Sequence, residues 1–120
     1  MLLNIYKPVE WTSFDVVKKI RSITKERKVG HGGTLDPFAE GVLIVGTGND
    51  TKSLTEISGK SKSYQALLKL GIATDTLDNS GTITAQKKVP DLTEHTIAMV
   101  LSEFCGKYVQ IPPMLSLIHI

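Results

Sequence analysis

Apolar and polar positions alternate with two periods along this chain, and the switches between them divide it into short elements. Residues 2–6, apolar and β-prone, predict a first strand that stops at Lys7-Pro8. Thr12 or Ser13 then caps a helix with Asp15 in its first turn, where a carboxylate is favourable. In that helix Phe14, Val17, Ile20 and Ile23 recur at helical spacing, while Lys18, Lys19, Arg21 and Lys25 face elsewhere. Residues 41–46, Gly-Val-Leu-Ile-Val-Gly, form a short apolar run between glycines, the pattern of a buried strand. A turn and a short helix through Leu54 and Ile57 follow, and residues 58–63 form a polar connector. Residues 64–71 and 82–89 predict two more strands, the second ending at Pro90. Thr93 caps a second amphipathic helix with Ile97, Val100, Leu101 and Phe104 as its stripe, and Gly106 closes it. Residues 107–111 predict a last strand, stopped by Pro112-Pro113. The sum is a mixed arrangement, with strands clustered between two amphipathic helices.

The densest chemistry lies between the first helix and the 41–46 strand. Gly30-His31-Gly32-Gly33-Thr34-Leu35-Asp36-Pro37 places three glycines, a histidine and an aspartate in eight residues. Pro37 fixes its own φ and pushes Asp36 towards an extended conformation, so Asp36 sits at a defined bend. A carboxylate on a loop leading into a core strand is well placed to be held rigidly in a cleft. The competing reading is an Asx turn, in which Asp36 only bonds its own backbone. Upstream, Lys18, Lys19, Arg21, Lys25, Arg27 and Lys28 lead directly into this loop. They suit a polyanionic substrate, or they form a solvated helix face.

Composition narrows the picture modestly. A chain of 120 residues, 41% of them hydrophobic, allows one domain with one modest core. The formal charge of +2 is too small to imply nucleic-acid binding by itself. Cys105 is the single cysteine, which excludes an internal disulfide and fits a reducing cytoplasm. No apolar run is long enough to cross a bilayer. Residues 46–53 lack the Gly-Lys-Ser/Thr of a phosphate loop. Residues 71–81 loosely match a calcium loop but lack its fixed glycine and closing glutamate, so Asp75 and Asp78 are expected to cap or brace a loop rather than bind metal.

The spacing His31-x-Gly33-x-Leu35-Asp36-Pro37, followed by Gly41-Val42-Leu43, resembles the catalytic signature of the TruB family of tRNA pseudouridine synthases. The small-RNP enzymes of the dyskerin type look similar in this stretch. Lys7-Pro8 with Trp11-Thr12-Ser13 is similar to the family's opening. So are Gly48-x-x-Thr51-Lys52, Lys62-x-Tyr64, and Gly71-x-x-Thr74-Asp75-Thr76-x-Asp78-x-x-Gly81 to its later motifs. The resemblance implies an α+β chain, the first part of the pseudouridine synthase fold, with a mixed, mostly antiparallel sheet flanked by helices and a cleft across its middle. It implies that Asp36 is the catalytic residue, that His31 takes part in base flipping and that Tyr64 stacks on the target uracil. Gly33, Lys62 and Lys7 are further substrate- or RNA-binding candidates. For Lys7, a solvated strand-end lysine is an equal reading.

The implied reaction converts uridine to pseudouridine in the tRNA T-loop, at position 55 of standard tRNA numbering. It needs no metal, redox cofactor or nucleotide. The implied partner is tRNA, bound by a cytoplasmic monomer with no obligate protein partner and no membrane. Residues 1–114 match the N-terminal part of the catalytic domain, and residues 115–120 diverge from the pattern, as in a truncated or chimeric chain. The family's later arginine, its pocket floor and its C-terminal RNA-binding domain have no counterpart here. The alternative function is therefore a non-catalytic RNA-binding fragment.

Overall fold

The computed structural model describes residues 1–109 and 111. They follow the order β1 (Leu2–Lys7), α1 (Ser13–Thr24), β2 (Val29–His31), β3 (Gly41–Thr47), a 3-10 turn (Gly48–Ser53), α2 (Leu54–Ser58), β4 (Ile72–Thr74), β5 (Ile83–Gln86) and α3 (Glu94–Ser102). The architecture is α+β, as the hydrophobic pattern and the resemblance both imply. The chain divides into two compact units, Met1–Tyr64 and Gln65–Ile120. No helix among the described residues is long and apolar enough to cross a membrane.

The first unit is built on a three-stranded antiparallel sheet in the order β1-β3-β2. Leu3 pairs with Val45 and Ile5 with Leu43, so strand parity turns these four side chains to one face. There Leu43 and Val45 join Val16 and Val17 of α1 and Val29 of β2 in a buried cluster, with Leu3, Ile5 and Ile20 packed around it. The helix stripe is therefore shifted from the expected one. Phe14 and Ile23 are exposed. The Phe14 ring lies beneath Lys18 Nζ, 4.9 Å from its centroid, and the Arg21 guanidinium, at 5.9 Å. The sheet covers Val16, Val17 and part of Ile20, and leaves Phe14 and Ile23 open.

On the opposite face, Gly46 makes room for α2. A Cβ there would come within 3.1 Å of Leu54 Cγ and of the Asp50 carbonyl oxygen. Gly30 and Gly32 lie against the same leucine, each with a would-be Cβ 3.4 Å from one of its methyl groups. Two glycines of the dense motif thus serve packing.

Helix α1 opens with a capping box. Thr12 Oγ1 accepts from the Asp15 N–H at 3.0 Å, and Asp15 Oδ2 accepts from the Thr12 N–H at 3.1 Å. The Thr12 hydrogen bonds, then the nearby Lys18, hold the Asp15 carboxyl below its ordinary 3.8. A depressed folded-state pKa stabilises above the unfolded value, and that contribution is lost as pH falls through the folded one. Asp15→Asn is therefore expected to flatten part of the acid limb of a stability-versus-pH curve below about pH 4 while leaving the neutral slope unchanged. An acid limb identical to the parent's would exclude this cap as a contributor.

In the second unit β4 and β5 form an antiparallel hairpin with an irregularity between Ala73 and Thr74. The intervening loop is braced as expected. Asp75 Oδ1 accepts from the Thr82 N–H, and Asp78 Oδ1 accepts from the Thr76 hydroxyl and from the N–H and hydroxyl of Ser80. The Ser80 and Thr76 bonds hold Asp78 below its ordinary value. Thr93 caps α3 through the Thr96 N–H.

Three expectations are corrected here. Residues 64–70 do not form a strand: Leu67 and Leu68 are exposed, and no described strand pairs with them. Helix α3 ends at Ser102, ahead of Gly106, which takes a φ of 95° beyond the closing turn. Residues 107–109 form no strand. The expected stop at Pro112-Pro113 and the divergence after Met114 lie outside the described residues.

Candidate functional site

The aspartate motif is part strand and part loop. Gly30 and His31 belong to β2, where His31 pairs with Val45, and the loop proper runs over residues 32–40. It is fastened at almost every step. The Gly32 N–H donates to the Ile44 carbonyl at 2.8 Å. His31 Nδ1 lies 2.5 Å from the Gly33 carbonyl oxygen. A carbonyl only accepts, so Nδ1 carries the hydrogen and Nε2 remains for another partner. Gly33 sits at φ 152°, and a Cβ there would meet nothing within 4 Å. Its freedom is conformational, and the space above it is open.

Leu35 is held from both sides by one side chain. Its N–H donates to Ser13 Oγ at 3.0 Å, and the Ser13 hydroxyl donates to its carbonyl at 3.3 Å. With Thr12 acting as the cap, Ser13 is free for this task, and it is buried. Pro37 is held by its carbonyl, which accepts from the Glu10 N–H at 2.7 Å and, at 3.5 Å, from Lys7 Nζ. The Ala39 N–H donates to the Asp36 carbonyl at 3.0 Å, closing a turn with proline at its second position. At the end of the loop the Tyr6 hydroxyl donates to Glu40 Oε2 at 2.5 Å. That bond holds the Tyr6 phenol above its ordinary 10.0.

Asp36 thus stands between two anchored neighbours. Its own side chain is exposed and forms no hydrogen bond or ion pair among the described residues. The Asx-turn reading, in which its carboxylate is absorbed by local backbone, is not what the structure shows. A carboxylate held at a fixed place with both oxygens open is chemically available to an incoming group.

Lys7 does something other than the expected phosphate contact. It is fully buried, and Nζ donates to the carbonyls of Pro8 at 2.9 Å and Trp11 at 2.6 Å as well as to Pro37. An –NH₃⁺ group has three donors, and three acceptors surround it. Neither proposed role for Lys7, RNA contact or solvated strand end, survives this burial. The signal was present in the sequence, because strand alternation puts Lys7 on the face of Leu3 and Ile5. Ser13 was missed because one of two adjacent hydroxyls was expected only to cap.

No hydrogen bond or ion pair among the described residues gathers the other candidates around Asp36. Lys62 is exposed and donates to the carbonyls of Ser58 and Lys60. Tyr64 is exposed at the end of the first unit and forms no hydrogen bond among the described residues. In the basic cluster, Arg21 turns inward, donating from Nη2 to the Val29 carbonyl at 3.0 Å. Lys18 pairs with Asp15 at 3.6 Å. Lys19, Lys25, Arg27 and Lys28 remain exposed.

Comparison with known proteins adds a family to this geometry. Residues 21–120 match the domain described as TruB family pseudouridylate synthase (N terminal domain). The chain is 48% identical over 117 residues to the tRNA pseudouridine synthase B of Microcystis aeruginosa, covering 98% of this chain and 40% of that protein. It is 46% identical over 120 residues to the protein of the same name from Lactococcus lactis subsp. cremoris, covering 99% and 36%. With that of Clostridium tetani it is 44% identical over 119 residues, covering 99% and 41%. The chain therefore spans about two-fifths of the length of these relatives.

Proposed function

The chain belongs to the TruB family of pseudouridylate synthases, and from that membership we propose that it supplies the catalytic aspartate of a site converting uridine to pseudouridine in the T-loop of tRNA. The observation that carries the reading is the setting of Asp36: both flanking residues are tied down while its carboxylate stays exposed and unbonded. A nucleophile must be fixed in place and free at its reacting atom. Asp36 attacks the extruded uridine, at the ribose C1′ or at uracil C6. The glycosidic bond to N1 breaks, the base turns and rejoins the sugar through C5, the C5 proton is lost while N1 gains one, and the bond to Asp36 breaks to release the free carboxylate. The bond broken and the bond made lie in one molecule, so the electrons balance without a cofactor.

His31 offers Nε2 to the RNA while Nδ1 is engaged with Gly33, and it props the space that the flipped base leaves. Gly33 lets the RNA backbone approach the loop, and Tyr64 provides a π-face for the uracil. Lys62 lies two residues from Tyr64 and contributes positive charge beside it. The exposed Lys19, Lys25, Arg27 and Lys28 meet phosphates. We place this activity in the cytoplasm, in a monomer.

The test is pseudouridine formation on unmodified tRNA by the purified chain. Product supports the reading. A folded chain that binds tRNA in a salt-dependent manner and forms no product assigns it RNA binding alone.

A further inference from the structure

Beside the Asp36 loop, at the start of α1, lies an open depression of about 500 Å³ lined by Glu10, Trp11, Asp15, Lys18 and Lys19. Of its lining, only Lys19 has a role in the function proposed above, as one of several phosphate contacts; Glu10, Trp11, Asp15 and Lys18 have none. Trp11 is the only tryptophan in the chain and is 39% exposed, although a buried cluster lies within reach of the same helix. The rim of the depression is rigidly joined to the loop. Lys7 Nζ bonds the carbonyls of both Trp11 and Pro37, and the Glu10 N–H donates to Pro37 as well. Glu10 takes a φ of 68°, a strained conformation for a non-glycine residue, so its place is imposed by these contacts.

We propose that this depression receives a second RNA base, one next to the base presented to Asp36, stacked on the Trp11 indole. The inference rests on the RNA-modifying function proposed above. The charge set decides what kind of group fits. Two carboxylates and two ammonium groups line the depression, so it is no cradle for a phosphate. Asp15 is engaged by Thr12 and Lys18, which leaves the Glu10 carboxylate as an acceptor for the amino or imino donors of a base edge. Lys19, which forms no ion pair among the described residues, stands at the margin for the backbone of that nucleotide. An open depression with an aromatic wall suits a base that enters and leaves with its strand, because every base has a π-face.

Because Trp11 is the sole tryptophan, its fluorescence reports on this place alone. The probe is an unmodified hairpin RNA with the T-arm sequence, titrated into the 120-residue chain, with overall binding followed in parallel by anisotropy of labelled RNA. The expected result is Trp quenching that saturates together with the anisotropy. Trp11→Ala is expected to weaken RNA binding roughly tenfold, and Trp11→Phe, which keeps a stacking face, to stay within about threefold of the parent. Circular dichroism shows that each variant is folded.

RNA binding with no quenching, or with Trp11→Ala at the parent's affinity, overturns the inference and leaves the proposed function standing. Equal quenching by free nucleoside monophosphates also overturns it, since the depression would then be a small-molecule site. No RNA binding by the parent chain overturns it together with the RNA-modifying reading.

Discussion

Asp36→Asn is expected to eliminate pseudouridine formation, by roughly a thousandfold or more, while leaving the fold and the affinity for tRNA within about twofold of the parent. The separation of these effects follows from the geometry. The Asp36 side chain is exposed and engaged in no hydrogen bond or ion pair among the described residues, so the fold does not depend on its charge. Its contribution to the loop is a backbone carbonyl that accepts from Ala39, and asparagine keeps that carbonyl. Asparagine also preserves volume and shape, but an amide is a far weaker nucleophile than a carboxylate. The assay pairs product quantification with an RNA-binding isotherm and a thermal melt on the same samples. Product at the parent's rate would remove Asp36 from the chemistry. Loss of product together with loss of fold would instead make it a structural residue, against the geometry described.

Much of this site was legible in the sequence, and the parts that were not share one cause. Glycine and proline punctuation located the bend at Asp36, and alternation located β1 and β3, because these are local properties of backbone and side-chain parity. The capping residues Thr12 and Thr93 were legible for the same reason. What sequence alone could not supply was the partner. Gly30 and Gly32 stand out in the sequence only as members of a glycine-rich stretch, and the structure shows that Leu54 packs against both. Phe14 and Val16 both sit on helical periods, and only the position of the sheet decides that Val16 is covered and Phe14 is not. Residues 64–70 have the composition of a strand, but a strand also needs a neighbour for its backbone groups. Arg21 read as part of a basic face because charge suggests solvent, whereas its guanidinium reaches back to Val29. The resemblance to a known family singled out Asp36 as the candidate, but it carried no information on which neighbours hold the loop still.

Lys7→Met is expected to cost about 2–4 kcal/mol of stability, the largest loss we anticipate from a single side chain outside the apolar cluster. Methionine keeps most of the stem, so little of the loss comes from a cavity. The cost comes from the carbonyls of Pro8, Trp11 and Pro37, which lose the common donor that fully buried Lys7 brings to them. The bond to Trp11 is short at 2.6 Å and that to Pro8 is 2.9 Å, and an acceptor shielded from water and left unpaired forfeits its desolvation energy. The consequence reaches function through Pro37. With its carbonyl held by the Glu10 N–H alone, the turn carrying Asp36 is less constrained, and a misplaced nucleophile loses rate faster than binding. Chemical denaturation measures the first effect, and product formation well below the melting temperature measures the second. The expected pattern is a lowered midpoint, a several-fold slower reaction and nearly unchanged tRNA affinity. A variant as stable as the parent, within about 0.5 kcal/mol, would show that these carbonyls find other partners and that Lys7 does not hold the loop.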